Sequence, residues 1–193
     1  MSKKKLSILI PSLISRKRYL DELSEVLKPQ VLQNQNDVEV LINLDNGESS
    51  IGRKRNDLIS SATGDYIAFV DDDDLVSNDY IPLLLNAIDK SPDVVGIHLL
   101  MTVDNVLKGL TYHSLNYKTW FNKQSIIPNI NCYFRNPNHL NPIKKDIIKN
   151  VKFLEINMGE DRDYSQKILP LINSEVYIPE PIYLYRVRSV KEC

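Results

Sequence analysis

Apolar and polar positions follow one another along residues 1–92 in an order that predicts alternating strands and helices. Three short apolar runs, each ended by proline or turn residues, predict β-strands at residues 6–11, 38–44 and 66–70. Apolar residues at helical spacing predict helices at residues 18–32, 53–62 and 79–90. This βαβαβα order implies right-handed crossovers. The predicted fold class is therefore α/β, with a Rossmann-like, mostly parallel central sheet flanked by helices.

The second half of the chain is less regular. Residues 93–103 read as an apolar strand, which the pair Asp104-Asn105 could turn into a hairpin. Residues 111–142 are rich in Asn, Tyr and Pro without a clear period, which predicts a long loop region. The remaining predicted elements are helices at 144–149 and 159–171 and closing strands at 176–178 and 182–187. No composition break divides the 193 residues, so we expect one domain.

Composition and charge argue against several classes of protein. The formal net charge is −1, whereas a dedicated nucleic-acid binder usually carries a strong basic surplus. The six glycines form neither a G-x-G-x-x-G fingerprint nor a phosphate-binding P-loop. The two cysteines, Cys132 and Cys193, indicate no disulfide framework, and no apolar stretch is long enough to span a bilayer. We therefore expect a cytoplasmic protein with no membrane span and no nucleic-acid partner.

Four consecutive aspartates, Asp71 to Asp74, follow directly on the third predicted strand. Their charges repel one another, so the cluster is costly unless a cation lies among them. Hard divalent cations prefer oxygen ligands, and α/β folds bind ligands at the carboxyl edge of the sheet. The alternative is a solvated acidic turn that caps the next helix, because Asp is common in turns and at N-caps.

A series of short motifs extends this pattern along essentially the whole chain. The first strand ends in Pro11-Ser12 and the second in Asp45. Then come Gly52-Arg-Lys-Arg-Asn56, the aspartates, Gly159-Glu-Asp161 and Pro179-Glu-Pro-Ile-Tyr-Leu-Tyr-Arg186. This series resembles that of the GT-A glycosyltransferases of family 2.

The resemblance implies a fold, a domain division and an activity. The fold would be a single GT-A domain over residues 1–193, with a nucleotide-binding half at 1–92 and an acceptor-binding half at 93–193. The activity would be metal-dependent, inverting transfer of a sugar from a nucleotide-diphosphate donor. UDP-sugars are the favoured donors, and the acceptor would be a hydroxyl of a glycan or of another molecule.

The resemblance also implies roles at the donor. Asp73 and Asp71 match the D-x-D motif and would hold a divalent metal, Mn²⁺ or Mg²⁺, that bridges the donor's diphosphate. Asp71 or Asp72 would face the ribose and the metal's waters. Pro11 and Ser12 would place backbone beside the nucleoside.

Three more residues are assigned to the donor in the same way. Asp45 matches an acidic residue that contacts the uracil edge in relatives, but it could equally be the first residue of an Asp-Asn-Gly turn. Arg53 is the expected donor-facing cation, and Arg55 with Asn56 matches a pair that supports the site. A solvated helix start is the alternative for both arginines. Arg188 stands where relatives commonly carry a histidine, and a guanidinium can pair with phosphate but cannot ligate a metal.

Asp161 is the expected catalytic base. It matches the family's residue that deprotonates the acceptor hydroxyl, with Glu160 as a neighbour that shapes the acceptor pocket. Acidic residues in a first helical turn also favour the helix dipole, so both could serve the helix alone. Trp120, Tyr117 and His139 lie where relatives place acceptor contacts, although a lone Trp is more often part of a core.

Two other functions are compatible with parts of the pattern. The stretch from Phe69 to Val76 also resembles the hydrophobic-D-x-D-x-T/V motif of haloacid-dehalogenase-like phosphatases, in which the first Asp is a nucleophile. Leu75 occupies the usual Thr/Val position, however, and that motif belongs to the first strand rather than the third. The non-enzymatic alternative is a catalytically inactive protein that binds nucleotide sugars.

Overall fold

The architecture comes from a computed structural model that describes residues 3–189. Within these residues the chain forms ten strands and five helices. Those of the first half are β1 (Leu6–Leu13), α1 (Lys17–Gln33), β2 (Val38–Asp45), α2 (Ile51–Ser61), β3 (Tyr66–Phe69), β4 (Leu75–Val76) and α3 (Tyr80–Ile88). Those of the second half are β5 (Val94–Val103), β6 (Val106–His113), β7 (Phe121–Gln124), β8 (Asn131–Arg135), β9 (Ile143–Lys144), α4 (Lys145–Ile148), α5 (Glu160–Ile168) and β10 (Glu175–Val187).

The strands described within residues 3–189 all belong to one sheet. Its order is β2-β1-β3-β9-β5-β6-β8-β7, and β10 pairs with β4 and β5. β1 is parallel to both β2 and β3. The short β9 is antiparallel to β3 and to β5, so β5 runs in the direction of β3, and β10 is parallel to β5. The five strands β1, β2, β3, β5 and β10 therefore share one direction, and the expected mostly parallel central sheet is confirmed.

Apolar side chains alternate between the two faces of the central strands, so each face carries its own core. On one face, Leu6, Ile8 and Ile10 of β1 pack with buried residues of α1 and α3. On the other, Leu9 and Phe69 pack with buried residues of α2 and α5. These layers hold the carboxyl ends of β1, β2 and β3 side by side at one edge of the sheet.

Helix α2 begins two residues before its predicted start because Ser50 caps it. The Ser50 Oγ accepts a hydrogen bond of 3.3 Å from the backbone N–H of Arg53. With this start, Gly52, Lys54 and Arg55 are buried, whereas Arg53 is exposed.

The hairpin between β5 and β6 is confirmed. These strands are antiparallel, and the connecting residues Asp104 and Asn105 have φ values of 49° and 65°. Two consecutive left-handed residues are typical of the tight turns that join antiparallel strands, and Asp and Asn tolerate this conformation better than most residues.

The prediction of a long loop at residues 111–142 is wrong over much of that range. β7 and β8 form an antiparallel pair inside it, and β8 is parallel to β6. The rings of Phe121 and Phe134 stack with centroids 4.8 Å apart, and Tyr112 stacks on Phe134 at 5.3 Å. Because β7 is exposed along its length, it shows no alternation of apolar and polar residues that a sequence pattern could detect.

The two predicted closing strands form the single strand β10. Its pairing with β5 is irregular between Tyr177 and Tyr183, where the two prolines of Pro179-Glu-Pro181 interrupt the register. None of the helices described in residues 3–189 is long and apolar enough to cross a membrane.

Candidate active site

A cavity of about 310 Å³ opens at the carboxyl ends of β1 and β3, and we call it the strand-end cavity. It brings together five of the residues that the sequence assigned to the donor: Pro11, Ser12, Asp71, Asp72 and Asp73. Its other lining residues are Leu13, Arg16, Ser49, Ile51, Lys54, Arg55, Asn157 and Glu160. Three of the four aspartates therefore face a pocket, not the open surface of a solvated turn.

Arg16 links Asp72 and Asp73. Its Nη2 lies 2.6 Å from Asp72 Oδ1 and 2.5 Å from Asp73 Oδ2. The buried Asp72 also accepts a hydrogen bond of 2.7 Å from Ser12 Oγ. Burial raises the pKa of Asp72, although Ser12 and the charge of Arg16 oppose this change. The end of β1 thus supplies a hydroxyl, and the segment after it a cation, to the strand end of β3.

Asp71 belongs to a second, more deeply buried group. Arg55 donates from Nη2 to Asp71 Oδ1 at 2.9 Å and from Nη1 to Glu160 Oε1 at 2.5 Å. The same Nη2 lies 3.1 Å from His139 Nε2, which itself lies 3.5 Å from Asp71 Oδ2. Burial opposes ionisation of Asp71, but the charges of Arg55 and His139 outweigh it and hold the pKa of Asp71 well below its usual value.

Asp74 has a structural role. Its buried carboxylate accepts hydrogen bonds of 2.8 Å from the hydroxyl of Tyr183 and from the backbone N–H of Arg186. Burial, reinforced by the charge of Asp71, raises the pKa of Asp74 well above its usual value. The four aspartates are therefore not equivalent. Asp74 binds β10 to the aspartate turn, by which we mean residues Asp71 to Asp74.

A divalent metal fits this site only with most of its ligands supplied from outside the protein. No group of three or more His, Cys, Asp or Glu side chains in residues 3–189 converges well enough to hold a metal ion. The Asp73 side chain is 34% exposed and faces the strand-end cavity. Mg²⁺ and similar ions commonly use one or two carboxylates and complete their shell with water and substrate phosphates. The carboxylates present at this site agree with that arrangement.

Asp45 lies beside the strand-end cavity with both carboxylate oxygens already engaged. Its Oδ1 accepts from Gly47 N–H at 2.9 Å, its Oδ2 accepts from Ser49 N–H at 3.0 Å, and Lys54 forms a salt bridge with it. The hydrogen bond from Lys54, aided by those from the turn, lowers the pKa of Asp45. These contacts favour the turn interpretation of Asp45 over a uracil contact.

Arg53 does not occupy the position that the sequence predicted. It does not line the strand-end cavity, and its side chain lies on the surface with Asp57 at 3.3 Å and Glu155 at 3.5 Å. The neighbouring Lys54 takes that place: its Nζ donates to the Ser12 carbonyl at 2.6 Å, inside the cavity wall. The cations of α2 that line the strand-end cavity are therefore Lys54 and Arg55.

Arg188 lies on the outer side of the aspartate turn. Its Nη1 and Nη2 donate to the Asp73 carbonyl at 3.2 Å, and Nη1 lies 3.9 Å from Asp73 Oδ2. The guanidinium carbon also lies 4.1 Å from the centroid of the Tyr19 ring. Arg188 therefore supports the backbone of Asp73, as does Arg186 through a 2.7 Å bond to the same carbonyl.

A second cavity, of about 430 Å³, adjoins the first, and we call it the hairpin-side cavity. It contains Asp161, and the two cavities share Arg55, Asp71, Asn157 and Glu160. Its remaining walls are Leu99, Met101, Thr111, His113, Trp120, Tyr133, Arg135, Asn138, His139, Leu140, Met158, Gly159 and Tyr185. Of the three predicted acceptor contacts, Trp120 and His139 lie in this wall, whereas Tyr117 does not.

Asp161 and Glu160 are adjacent in sequence but differ in surroundings. Glu160 is buried against Arg55 and faces both cavities, whereas Asp161 faces only the hairpin-side cavity. Asp161 Oδ1 accepts from the backbone N–H of Arg162 at 2.7 Å. Asp161, which is free of the buried ion pair that holds Glu160, thus lies on the side away from Asp73.

The sequence interpretation missed two residues that line the strand-end cavity, Arg16 and Lys54. It named Glu160 as a neighbour that shapes the acceptor pocket, but not its pair with Arg55, through which Glu160 joins the two cavities. The signal for Arg16 was its position four residues after Ser12, in the loop at the carboxyl edge of the sheet. No sequence signal indicated that Glu160 pairs with Arg55.

Comparison with known families identifies the family of this chain. A sequence model of the family described as "Glycosyl transferase family 2" matches residues 9–150. The chain belongs to this family. The match spans β1 to α4 and thus includes the aspartates and both arginines of the strand-end cavity, and it favours neither the phosphatase nor the non-enzymatic alternative.

One curated relative is the minor teichoic acid biosynthesis protein GgaB of Bacillus subtilis (strain 168). It is 31% identical over 150 residues. The matched region is 72% of this chain but only 15% of GgaB. The chain therefore corresponds to a small part of that relative.

Solved structures of S. aureus TarS share the fold. The TarS 1–349 structure in complex with UDP-GlcNAc has a TM-score of 0.64 at 16% identity and covers 97% of this chain, which spans 60% of that one. The complex of TarS 1–349 with UDP gives a TM-score of 0.62 at 17% identity, over 95% of this chain and 60% of that one. The GT-A fold that the resemblance implied is confirmed.

Proposed function

We propose that this chain is the catalytic unit of a metal-dependent, inverting glycosyltransferase that uses a UDP-sugar. The observation that carries the proposal is the pair of adjoining cavities. Asp73 faces one of them, Asp161 faces the other, and Arg55 with its partners Asp71 and Glu160 lies where they meet. Donor and acceptor bound in these cavities would approach each other at that junction. The UDP and UDP-GlcNAc complexes of TarS, which has the same fold, favour uridine as the base.

The strand-end cavity would hold the nucleoside diphosphate. Asp73, with Asp71, would hold Mn²⁺ or Mg²⁺, which neutralises negative charge on the leaving diphosphate when it is bound. Arg16 and Lys54 supply cations on the same wall. Pro11 and Ser12 provide backbone beside the nucleoside, and the buried Asp72 orients Ser12 through its hydrogen bond.

The hairpin-side cavity would hold the acceptor, with Asp161 as the general base. The carboxylate would take the proton of an acceptor hydroxyl while that oxygen forms a bond to the anomeric carbon. The bond from this carbon to the β-phosphate oxygen breaks in the same step, and the nucleoside diphosphate leaves with the electron pair. One displacement of this kind inverts the anomeric configuration, and a base in this position typically contributes about 10²–10⁴-fold in rate.

The predicted division of the chain is part of this proposal. The residues assigned to the donor fall mainly within 1–92, and Asp161 with the hairpin-side cavity wall falls mainly within 93–193. A cytoplasmic location belongs to the proposal as well, supported by Cys132, which is a free cysteine.

A thermal-shift experiment with UDP and Mn²⁺ tests the donor site. Ligand linkage predicts about 2.7 kcal/mol of stabilisation at a hundredfold excess over the dissociation constant. Asp73→Asn should lose the Mn²⁺-dependent part of this stabilisation, whereas Asp21→Asn, on the exposed face of α1, should keep it. Mn²⁺-dependent UDP binding that is the same in Asp73→Asn and in the unmodified protein would contradict the metal assignment. Absence of UDP binding by the unmodified protein would contradict the donor assignment.

A further inference from the structure

The hairpin-side cavity contains a cation that the transfer step does not use. Arg135 is the last residue of β8, Trp120 directly precedes the paired strand β7, and both side chains line the cavity. The Arg135 guanidinium carbon lies 5.1 Å from the centroid of the Trp120 ring and 5.4 Å from that of Tyr133. The guanidinium is thus held between aromatic rings at the edge of a pocket that also contains Asp161.

The partners of Arg135 are all uncharged. Its Nη1 donates to the carbonyl oxygens of Phe121 at 3.0 Å and Phe134 at 2.9 Å. Among residues 3–189 it forms no salt bridge with a carboxylate. Burial lowers the pKa of Arg135, and the nearby Tyr133 opposes this change only in part. Arg162, with its guanidinium carbon 6.0 Å from the same Trp120 ring, adds a second cation beside that ring.

The other charged groups of the hairpin-side cavity already have partners or are neutral. Arg55 is paired with Asp71 and Glu160. His113 stays uncharged near neutral pH, because burial, with the nearby charges of His139 and Arg135, lowers its pKa to about 3. Besides the paired carboxylates of Asp71 and Glu160, the acceptor that enters this cavity therefore meets the carboxylate of Asp161 and the guanidinium of Arg135, which has no salt bridge among residues 3–189.

We propose that Arg135 binds an anionic group of the acceptor, so that the acceptor is a phosphorylated or carboxylated glycan or polyol. The inference rests on the proposed function and names the substrate class of its acceptor side. A guanidinium with free N–H groups pairs with phosphate or carboxylate in a fixed, bidentate geometry. Trp120 and Tyr133 provide apolar surface for the uncharged part of the same molecule. Arg135 would then fix the anion while a nearby hydroxyl reaches Asp161.

Binding of three matched probes tests this inference. Glucose, glucose 6-phosphate and glucuronate share one ring and differ in charge, and saturating UDP with Mn²⁺ keeps the phosphate probe out of the donor site. Ligand-observed NMR titration should show both anionic probes binding more tightly than glucose. The preference should be at least about tenfold, because hydrogen bonds to charged groups are worth about 1.5–3 kcal/mol. Stronger binding of glucose 6-phosphate or of glucuronate identifies which anion the site prefers.

Variants on β7 and β8 distinguish the effect of the Arg135 charge on binding from a general effect on folding. Arg135→Gln should abolish the preference for the anionic probes, and Arg135→Lys, which retains the charge, should keep part of it. Lys123→Gln is the matched control, because Lys123 lies on β7 outside the cavity, and it should keep the full preference. Equal binding of glucose and the anionic probes, no binding of any anionic probe, or an unchanged preference in Arg135→Gln would overturn the inference.

UDP binding distinguishes this inference from the proposed function. If the unmodified protein binds UDP with Mn²⁺ but shows no preference for the anionic probes, only the acceptor assignment fails. If it does not bind UDP, the proposed function itself fails.

Discussion

Replacing Arg55 with methionine removes the cation that lies between two carboxylates. The side chains of Arg55 and Glu160 are 4% and 7% exposed, and that of Asp71 is 28% exposed. Removing one partner of a buried ion pair leaves an uncompensated charge and typically costs about 3–5 kcal/mol of unfolding free energy. Because domains are usually stable by about 5–15 kcal/mol, the variant should still fold and its loss should be measurable.

The cost of Arg55→Met should depend on pH. In the unmodified protein Arg55 helps to lower the pKa of Asp71, so that its stabilising contribution is present above the unfolded pKa of about 3.9 and is lost only in stronger acid. Without Arg55, only His139 opposes the effect of burial, so the folded pKa of Asp71 should rise above the unfolded one. The variant should then regain stability as the pH falls through that raised pKa towards 4, whereas the unmodified protein should not.

Urea unfolding followed by circular dichroism at pH 7.5 and pH 5 measures both effects, provided that the m-value is unchanged. Arg53→Met is the matched control, because Arg53 is on the same helix and exposed, with exposed acidic partners. We expect it to change stability little at either pH. A loss in Arg55→Met below about 1 kcal/mol, or one that does not shrink towards pH 5, would refute the buried-pair reasoning.

Three further substitutions test other parts of the site. Asp161→Asn should slow single-turnover sugar transfer by at least about a hundredfold while UDP affinity is kept, and an active Asp161→Asn would remove Asp161 from the base role. Lys54→Met should weaken UDP binding in calorimetry, because Lys54 holds both Asp45 and the Ser12 carbonyl. Gly52→Ala should lower the midpoint of thermal unfolding even though alanine is the better helix former, because its Cβ would lie 1.8 Å from the Leu154 carbonyl oxygen, and such overpacking costs about 1–3 kcal/mol. A midpoint that rises in Gly52→Ala would show that the segment at Leu154 can move away.

Most of the first half of the fold was predictable because its main strands are apolar runs and its helices have apolar residues at helical spacing. β1, β2 and β3 are runs of apolar residues that pack against helices on both faces, which is the pattern that sequence reasoning detects best. The strands that the sequence did not predict lack this apolar pattern. β7 is exposed at all four residues, and β4 and β9 have two residues each, so their pairing depends on partners far away in the sequence.

The aspartates were predictable as a site because of their position rather than their number. Asp71, Asp72 and Asp73 follow a buried strand at the carboxyl edge of the sheet, where a parallel architecture brings loops together. Which arginine pairs with each aspartate was not predictable. Arg16 pairs with Asp72 and Asp73, and Arg55 pairs with Asp71, because of contacts between elements that the sequence separates widely.

The orientation of the basic residues on α2 could have been derived from the apolar residues that follow them. Residues three or four apart share a face of a helix, because each residue turns the chain by about 100°. Arg55 lies three and four residues before Leu58 and Ile59, which are buried, and Lys54 lies four before Leu58. Arg53 lies five and six residues before them and therefore points away.

A charged residue on the apolar stripe of a helix must be buried with a counter-ion, so this spacing alone required acidic partners for Lys54 and Arg55. The carboxylates at the adjoining sheet edge meet that requirement, and the structure pairs each of the two with one or more of them.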